Sequence, residues 1–224
     1  MIDWGPFILT AQLALVTTFI LFVIAIPIAY WLSKTKSIFK PVLEAIVSLP
    51  LILPPTVLGF YVLIALNPNN GLGVWLSEWF GIELLFSFPG LVVGSVIYSL
   101  PFMINPIHSG LTNVSPSLQE ASYILGKSKT TTLFKVLLPT IKPALWTGIV
   151  LTFAHTVGEF GVVLMIGGNI PDQTRVVSIA IYEEVEAMNY ATAHLYSFVL
   201  LVLSFSMLLI VYSLNGTYLK RFWK

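Results

Sequence analysis

The chain has 224 residues, of which 57% are apolar and only 9% are Asp, Glu, Lys or Arg, with a formal net charge of +1 and no cysteine. That is too little charge to cover a soluble surface, too much apolar surface for disorder, and no net field to attract nucleic acid. Without cysteine there is no disulfide framework, no Cys zinc site and no thiol nucleophile.

The mean hydropathy is +0.90, and the few charges are clustered. Residues 4–33, 45–77, 84–119 and 187–219 contain none, and 143–171 contains only Glu159. Each gap exceeds the roughly 20 residues that one helix needs to cross a bilayer core. The apolar runs are continuous rather than alternating, which favours helices over a barrel. The reading is an all-α polytopic membrane protein, with residues 1–224 forming one transmembrane domain in contact with lipid. Five transmembrane helices are expected near 7–32, 43–66, 89–112, 143–168 and 194–216. The first apolar run has no Lys or Arg before it and is too long for a signal-peptide core, so it is read as the first span.

In chain order, the first helix holds Pro27, and the loop after it holds Lys34, Lys36 and Lys40. The second carries Pro50, Pro54 and Pro55, with Thr56 following. Each internal proline removes a donor and frees a carbonyl one turn earlier, which in lipid needs a partner or a wet cavity. A single proline reads as a packing kink. The Pro54-Pro55 pair reads equally as a kink or as the border of a transport path, because broken helices mark transporter sites. The third helix opens at Pro89 and holds Pro101 and Pro106.

Residues 113–142 form the longest cytoplasmic loop. Ser115 suits an N-cap, Pro116 the first helical position, and Gly126 with Lys127 the helix end, which predicts a short helix over 116–125. Leu118, Ala121, Tyr123, Ile124 and Leu125 make that helix apolar for a surface element. It either meets a partner or lies at the membrane interface.

The fourth helix carries His155 and Glu159, four apart on one face. Intramembrane ionisable groups are functional candidates. A metal pair would need more ligands. A proton relay is one reading. The other is structural, with a neutral or hydrogen-bonded Glu159 fixing the Gly158-Glu159-Phe160-Gly161 turn near a gate or dimer seam. The outer segment before the fifth helix holds Arg175, with Asp172 and Glu183 as candidate ion-pair partners. The alternative for Arg175 is contact with substrate or with a partner's acid.

Orientation follows from the basic residues. Lys34, Lys36, Lys40, Lys127, Lys129, Lys135, Lys142, Lys220, Arg221 and Lys224 fall on one side of a five-span arrangement, and only Arg175 falls on the other. The N-terminus is therefore expected outside and the C-terminus inside. An odd number of spans without an internal repeat suits half of a dimer.

The 113–142 loop resembles the cytoplasmic motif of binding-protein-dependent ABC importer permeases. That motif runs Glu-Ala-Ala, three residues, Gly, nine residues, Ile, one residue, Leu-Pro. Here Glu120-Ala121-Ser122, Gly126, Val136 and Leu138-Pro139 stand at the same spacings, with Ser for the second Ala and Val for Ile. The stretches 49–59, 153–161 and 169–175 further resemble molybdate ABC transporter permeases. The resemblance implies the type I permease fold, a homodimer, two cytoplasmic ATPase subunits that receive the coupling helix of each copy, and an extracytoplasmic oxyanion-binding protein. The substrate implied is molybdate, with tungstate close in size and charge and sulfate less favoured.

No cofactor, metal residue or catalytic residue is expected. The chain has no Gly-x-x-x-x-Gly-Lys-Ser/Thr loop, so ATP hydrolysis is assigned to a separate chain. No Lys or Arg lies within a span, so an oxyanion would pass among hydroxyls, backbone N–H groups and helix starts. On such a path the structural reading of Glu159 is preferred to a bare carboxylate. The rival reading is a proton-coupled secondary transporter using His155 and Glu159. An intramembrane hydrolase built on His108-Ser109 or His194 lacks a nucleophile elbow or metal triad.

Overall fold

The computed structural model describes residues 2–69 and 71–215, so Lys220, Arg221 and Lys224 lie outside the described residues. The described chain is helical: α1 (Gly5–Lys34), α2 (Lys40–Ser48), α3 (Pro55–Leu66), α4 (Gly71–Phe80), α5 (Phe88–Thr112), α6 (Pro116–Ile124), α7 (Lys129–Thr132), α8 (Leu138–Thr140), α9 (Lys142–Val157), α10 (Gly161–Gly167), α11 (Val177–Glu186) and α12 (Tyr190–Asn215). A 3-10 turn, Leu49–Leu51, extends α2, and a π-helical turn, Leu133–Leu137, joins α7 to α8.

Among the described residues, α1, α5 and α12 are each long and apolar enough to cross a bilayer, and the count reaches five if each of two bent pairs is one span. The bends are far sharper than packing kinks, and the second pair draws in residues 129–140, which were expected in the cytoplasmic loop. Lys40–Leu51 meets Pro55–Leu66 at 107°. Pro54 and Pro55 supply no N–H and push the preceding residues out of helical geometry. Lys129–Thr140 meets Lys142–Val157 at 77°. Here Pro143 cannot donate back along the chain, and Ile141 leaves the helix at φ −96°, ψ 19°. The fourth expected helix also ends early, at Val157, and residues 158–160 are irregular before α10. Helices α4 and α11 fall in segments between the expected spans.

The core is built on α1, α5 and α9. Leu21, Ala25, Ala29 and Leu32 of α1 pack with Met103, Ile104, Ile107 and Leu111 of α5, and Leu133, Leu137 and Ile141 close this cluster. At the other end, Leu9 and Leu13 meet Leu91, Val92, Val163 and Ile179. A third cluster joins α3 to α10 through Leu58, Val62, Leu66, Val162 and Ile166. Lipid tails are as apolar as leucine, so helices associate here through close packing and not through exclusion of water. Gly94 allows it: an added Cβ would lie 2.4 Å from Ile166 Cδ1. Helix α12 turns Phe198, Leu201, Leu203, Phe205 and Leu209 outward.

Candidate functional site

The two breaks in the chain meet. A Cβ on Gly161 would lie 2.8 Å from Pro55 Cβ, so only glycine lets the start of α10 lie against the start of α3. Around that contact is a cavity of about 560 Å³ lined by Pro55, Thr56, Tyr98, His155, Glu159, Gly161 and neighbours. Four of the pathway residues read from sequence, Pro55, Thr56, His155 and Glu159, are thus gathered in one place. Pro54 precedes them as the exposed cap residue of α3. Among the residues lining the cavity there is no Lys or Arg. The polar groups it offers are a threonine hydroxyl, a phenol, an imidazole, a carboxyl and the positive start of α3.

His155 is held on all sides. Its ring stacks on Phe102 at 4.0 Å between centroids and meets Tyr98 edge-on at 4.5 Å. Ser99 Oγ lies 2.9 Å from His155 Nδ1 and 3.1 Å from Thr156 Oγ1, and Thr156 donates to Thr152 O at 2.9 Å. One assignment uses each hydrogen once: His155 Nδ1–H donates to Ser99, Ser99 to Thr156, and Thr156 to the backbone. That chain fixes the imidazole tautomer and leaves Nε2 for other contacts.

Glu159 is 3% exposed, and neither carboxylate oxygen has a hydrogen-bond partner among the described residues. The side chain therefore does not brace its own turn. The backbone does: Glu159 N donates to Thr156 O at 3.3 Å, and Ser178 Oγ donates to Glu159 O at 2.6 Å. Among the described residues no three of His, Cys, Asp and Glu gather closely enough to hold a metal ion.

Arg175 is not part of the cavity. Its guanidinium forms an ion pair with Glu183, Nη2 to Oε2 at 2.7 Å, and lies 4.0 Å from Glu184, so Glu183 and not Asp172 is its partner. On the same segment Tyr182 donates to Glu186 Oε1 at 2.5 Å, and that carboxylate holds the phenol above its ordinary pKa.

The loop motif forms a second local structure. Helix α6 runs Pro116–Ile124, with Pro116 in its first turn as expected. Ser115 occupies the cap position, but its hydroxyl pairs with Ser117 Oγ at 2.6 Å and caps no backbone N–H. Gly126 takes φ +71°, which ends the helix as glycine readily does. Leu118, Glu120 and Ala121 are exposed, with Ile124 and Leu125 beside them at 85% and 74%. Ser122 points inward and is buried against Thr132. Leu138 is buried in the core and Pro139 is exposed, both in α8.

The chain belongs to the family of binding-protein-dependent transport system inner membrane components, which residues 21–221 match. It is a multi-pass protein of the inner membrane, and its family is one of transport components and not of enzymes. It is 46% identical to the molybdenum transport system permease protein ModB of Azotobacter vinelandii, over 94% of this chain and 93% of the relative. The ModB of Haemophilus influenzae is 32% identical over 83% of this chain and 82% of its own length. A probable sulfate transport system permease protein of Chlorella vulgaris is 32% identical over 92% of this chain and 77% of its own. In fold, the chain is similar to a bacterial ABC transporter involved in the import of the acidic polysaccharide alginate, with a TM-score of 0.78 at 18% identity, covering 94% of this chain and 78% of that one.

Sequence reasoning missed Tyr98, Phe102, Ser99 and the Thr152–Thr156 pair. A signal was present: Ser95 and Ser99, and Thr152 and Thr156, each repeat at four residues within an apolar helix.

Proposed function

We propose that this chain is the permease subunit of an ATP-driven importer of oxyanions, with molybdate as its principal substrate and tungstate as a second of nearly equal size and charge. The observation that carries this reading is the 46% identity to a molybdenum permease over 94% of the chain. The geometry supports it. A cavity without Lys or Arg offers an oxyanion hydroxyls and a helix start, enough to pass it but not to trap it. That suits a conduit supplied by a separate binding protein outside. A related alginate transporter has been solved in complex with its ligand-bound periplasmic protein.

In this reading each bent pair is one span, giving five, with the N-terminus out and the C-terminus in. Two copies form the path. The exposed α6 of each docks in a cytoplasmic ATPase through Leu118, Glu120, Ala121 and the turn at Gly126, with Leu138 and Pro139 setting the base of the loop. Pro54, Pro55, Thr56, His155 and Glu159 border the path, and Arg175 serves the outer segment as an ion pair.

The test is uptake by permease, ATPase and binding protein reconstituted in vesicles, with no proton gradient. Molybdate and tungstate should enter at comparable rates only with ATP, and sulfate should be excluded. Uptake that tracks a proton gradient without the ATPase would instead support a secondary transporter using His155 and Glu159.

A further inference from the structure

We propose that the buried Ser122–Thr132 hydroxyl pair is the joint that carries movement of α6 into the α7–α9 arm, and so to the cavity at His155 and Glu159. The inference rests on reading α6 as the helix that docks the ATPase. Ser122 Oγ lies 2.8 Å from Thr132 Oγ1, and both residues are buried. Ser122 is the buried residue of α6, whose other side chains are at least partly exposed. The buried side-chain link from α6 to the segment that follows it is therefore this hydroxyl pair. On the other flank, Lys34 Nζ donates to Gln119 Oε1, and Gln119 Nε2 donates to Tyr123 Oη at 2.7 Å. The first tethers α6 to the end of α1 in solvent and the second lies within α6 itself, so neither joins α6 to the arm beyond it.

The chain beyond Thr132 is built as a joint would be. Thr132 ends α7 and leads directly into the π-helical turn Leu133–Leu137. Such turns loosen the backbone ladder and are frequent at functional positions. Leu133 and Leu137 are anchored in the core with Ile107, Leu111 and Ile141. Past the 77° bend, α9 is a straight run of 16 residues, about 24 Å long. His155 sits near its far end, and Glu159 just past it. A pull on Thr132 reaches α9 through the π turn and the bend, whose Leu133, Leu137 and Ile141 share one core cluster, and so bears on the cavity at the far end of α9. A dry hydroxyl pair suits this role, because in a buried setting it is directional and costly to break.

The experiment uses the whole complex in vesicles and measures molybdate transported per ATP hydrolysed. ATPase retained on the permease during purification is measured separately. Ser122→Ala removes one oxygen, and Thr132→Val keeps the shape while removing the hydroxyl. Each should lower the transport-to-hydrolysis ratio about three- to tenfold, the span that one lost buried hydrogen bond produces, with ATPase retention unchanged. Thr132→Ser keeps the hydroxyl and should keep the ratio.

A wild-type ratio in both Ser122→Ala and Thr132→Val overturns the proposal, as does equal loss in Thr132→Ser. Loss of retention in step with the ratio also overturns it, since the pair would then only shape the docking surface. Failure of the underlying reading looks different: an Ile124→Glu, Leu125→Glu variant that still retains the ATPase removes α6 as the docking helix, whatever the ratio.

Discussion

Glu159 concentrates the chemistry of the cavity in one side chain. Buried carboxyls normally have partners, and this one has none among the described residues. Its turn is held by backbone hydrogen bonds and not by this side chain. Glu159→Leu should therefore leave thermal stability in detergent within about 1 kcal/mol of wild type, because no hydrogen bond is lost. Uptake should separate the variants: Glu159→Gln, still polar, retains ATP-driven molybdate uptake, and Glu159→Leu loses most of it. Full uptake by the leucine variant would remove Glu159 from the path.

Thr174 is the opposite case. It is fully buried, donates to Gly167 O at 2.7 Å and accepts from Ile170 N at 3.1 Å. Thr174→Val strands both groups and should cost about 1–3 kcal/mol in thermal unfolding. By contrast Arg175→Ala, which breaks a pair with a 45% exposed Glu183, should cost no more than about 1 kcal/mol.

At the scale of elements, α6 is defined more by how it ends than by how it begins. Gly126 has φ +71° and no atom within 4 Å of an added Cβ, so a side chain there meets strain but no clash. Gly126→Val should cost about 1–3 kcal/mol locally and misdirect the end of α6. Ala121→Trp adds bulk on the exposed face without disturbing the core. The double variant should insert in the membrane normally and lose ATPase co-purification. Normal co-purification and uptake would sink the docking assignment.

The bent pairs show why elements were only partly legible. Prolines announced a weakness in the second span, but a proline is compatible with a slight kink as well as with a 107° turn. The angle is set by packing, here by α10 wedged against α3 through Val162, Ile166 and Gly161.

For the whole molecule, the bias of basic residues makes a direct prediction about orientation. The chain has no native cysteine, so single substitutions label cleanly. Ser128→Cys should be shielded from an impermeant thiol reagent in intact cells, and Glu78→Cys, on α4, should react. The reverse pattern would overturn the orientation.

Charge-free gaps determined that the chain is a helical membrane protein, because bilayer thickness fixes the length of an apolar run and leaves little else that can satisfy its backbone. Motif spacing likewise determined where α6 would fall, since Pro116 and Gly126 act on local backbone geometry alone. Tertiary structure alone decided that residues 54–56 and 155–161, about a hundred positions apart, would face each other across one cavity. It alone turned Ser122 inward to Thr132 and paired Arg175 with Glu183. Those outcomes depend on which helices pack closely, and in lipid that choice rests on shape complementarity between distant small residues, which no local pattern encodes.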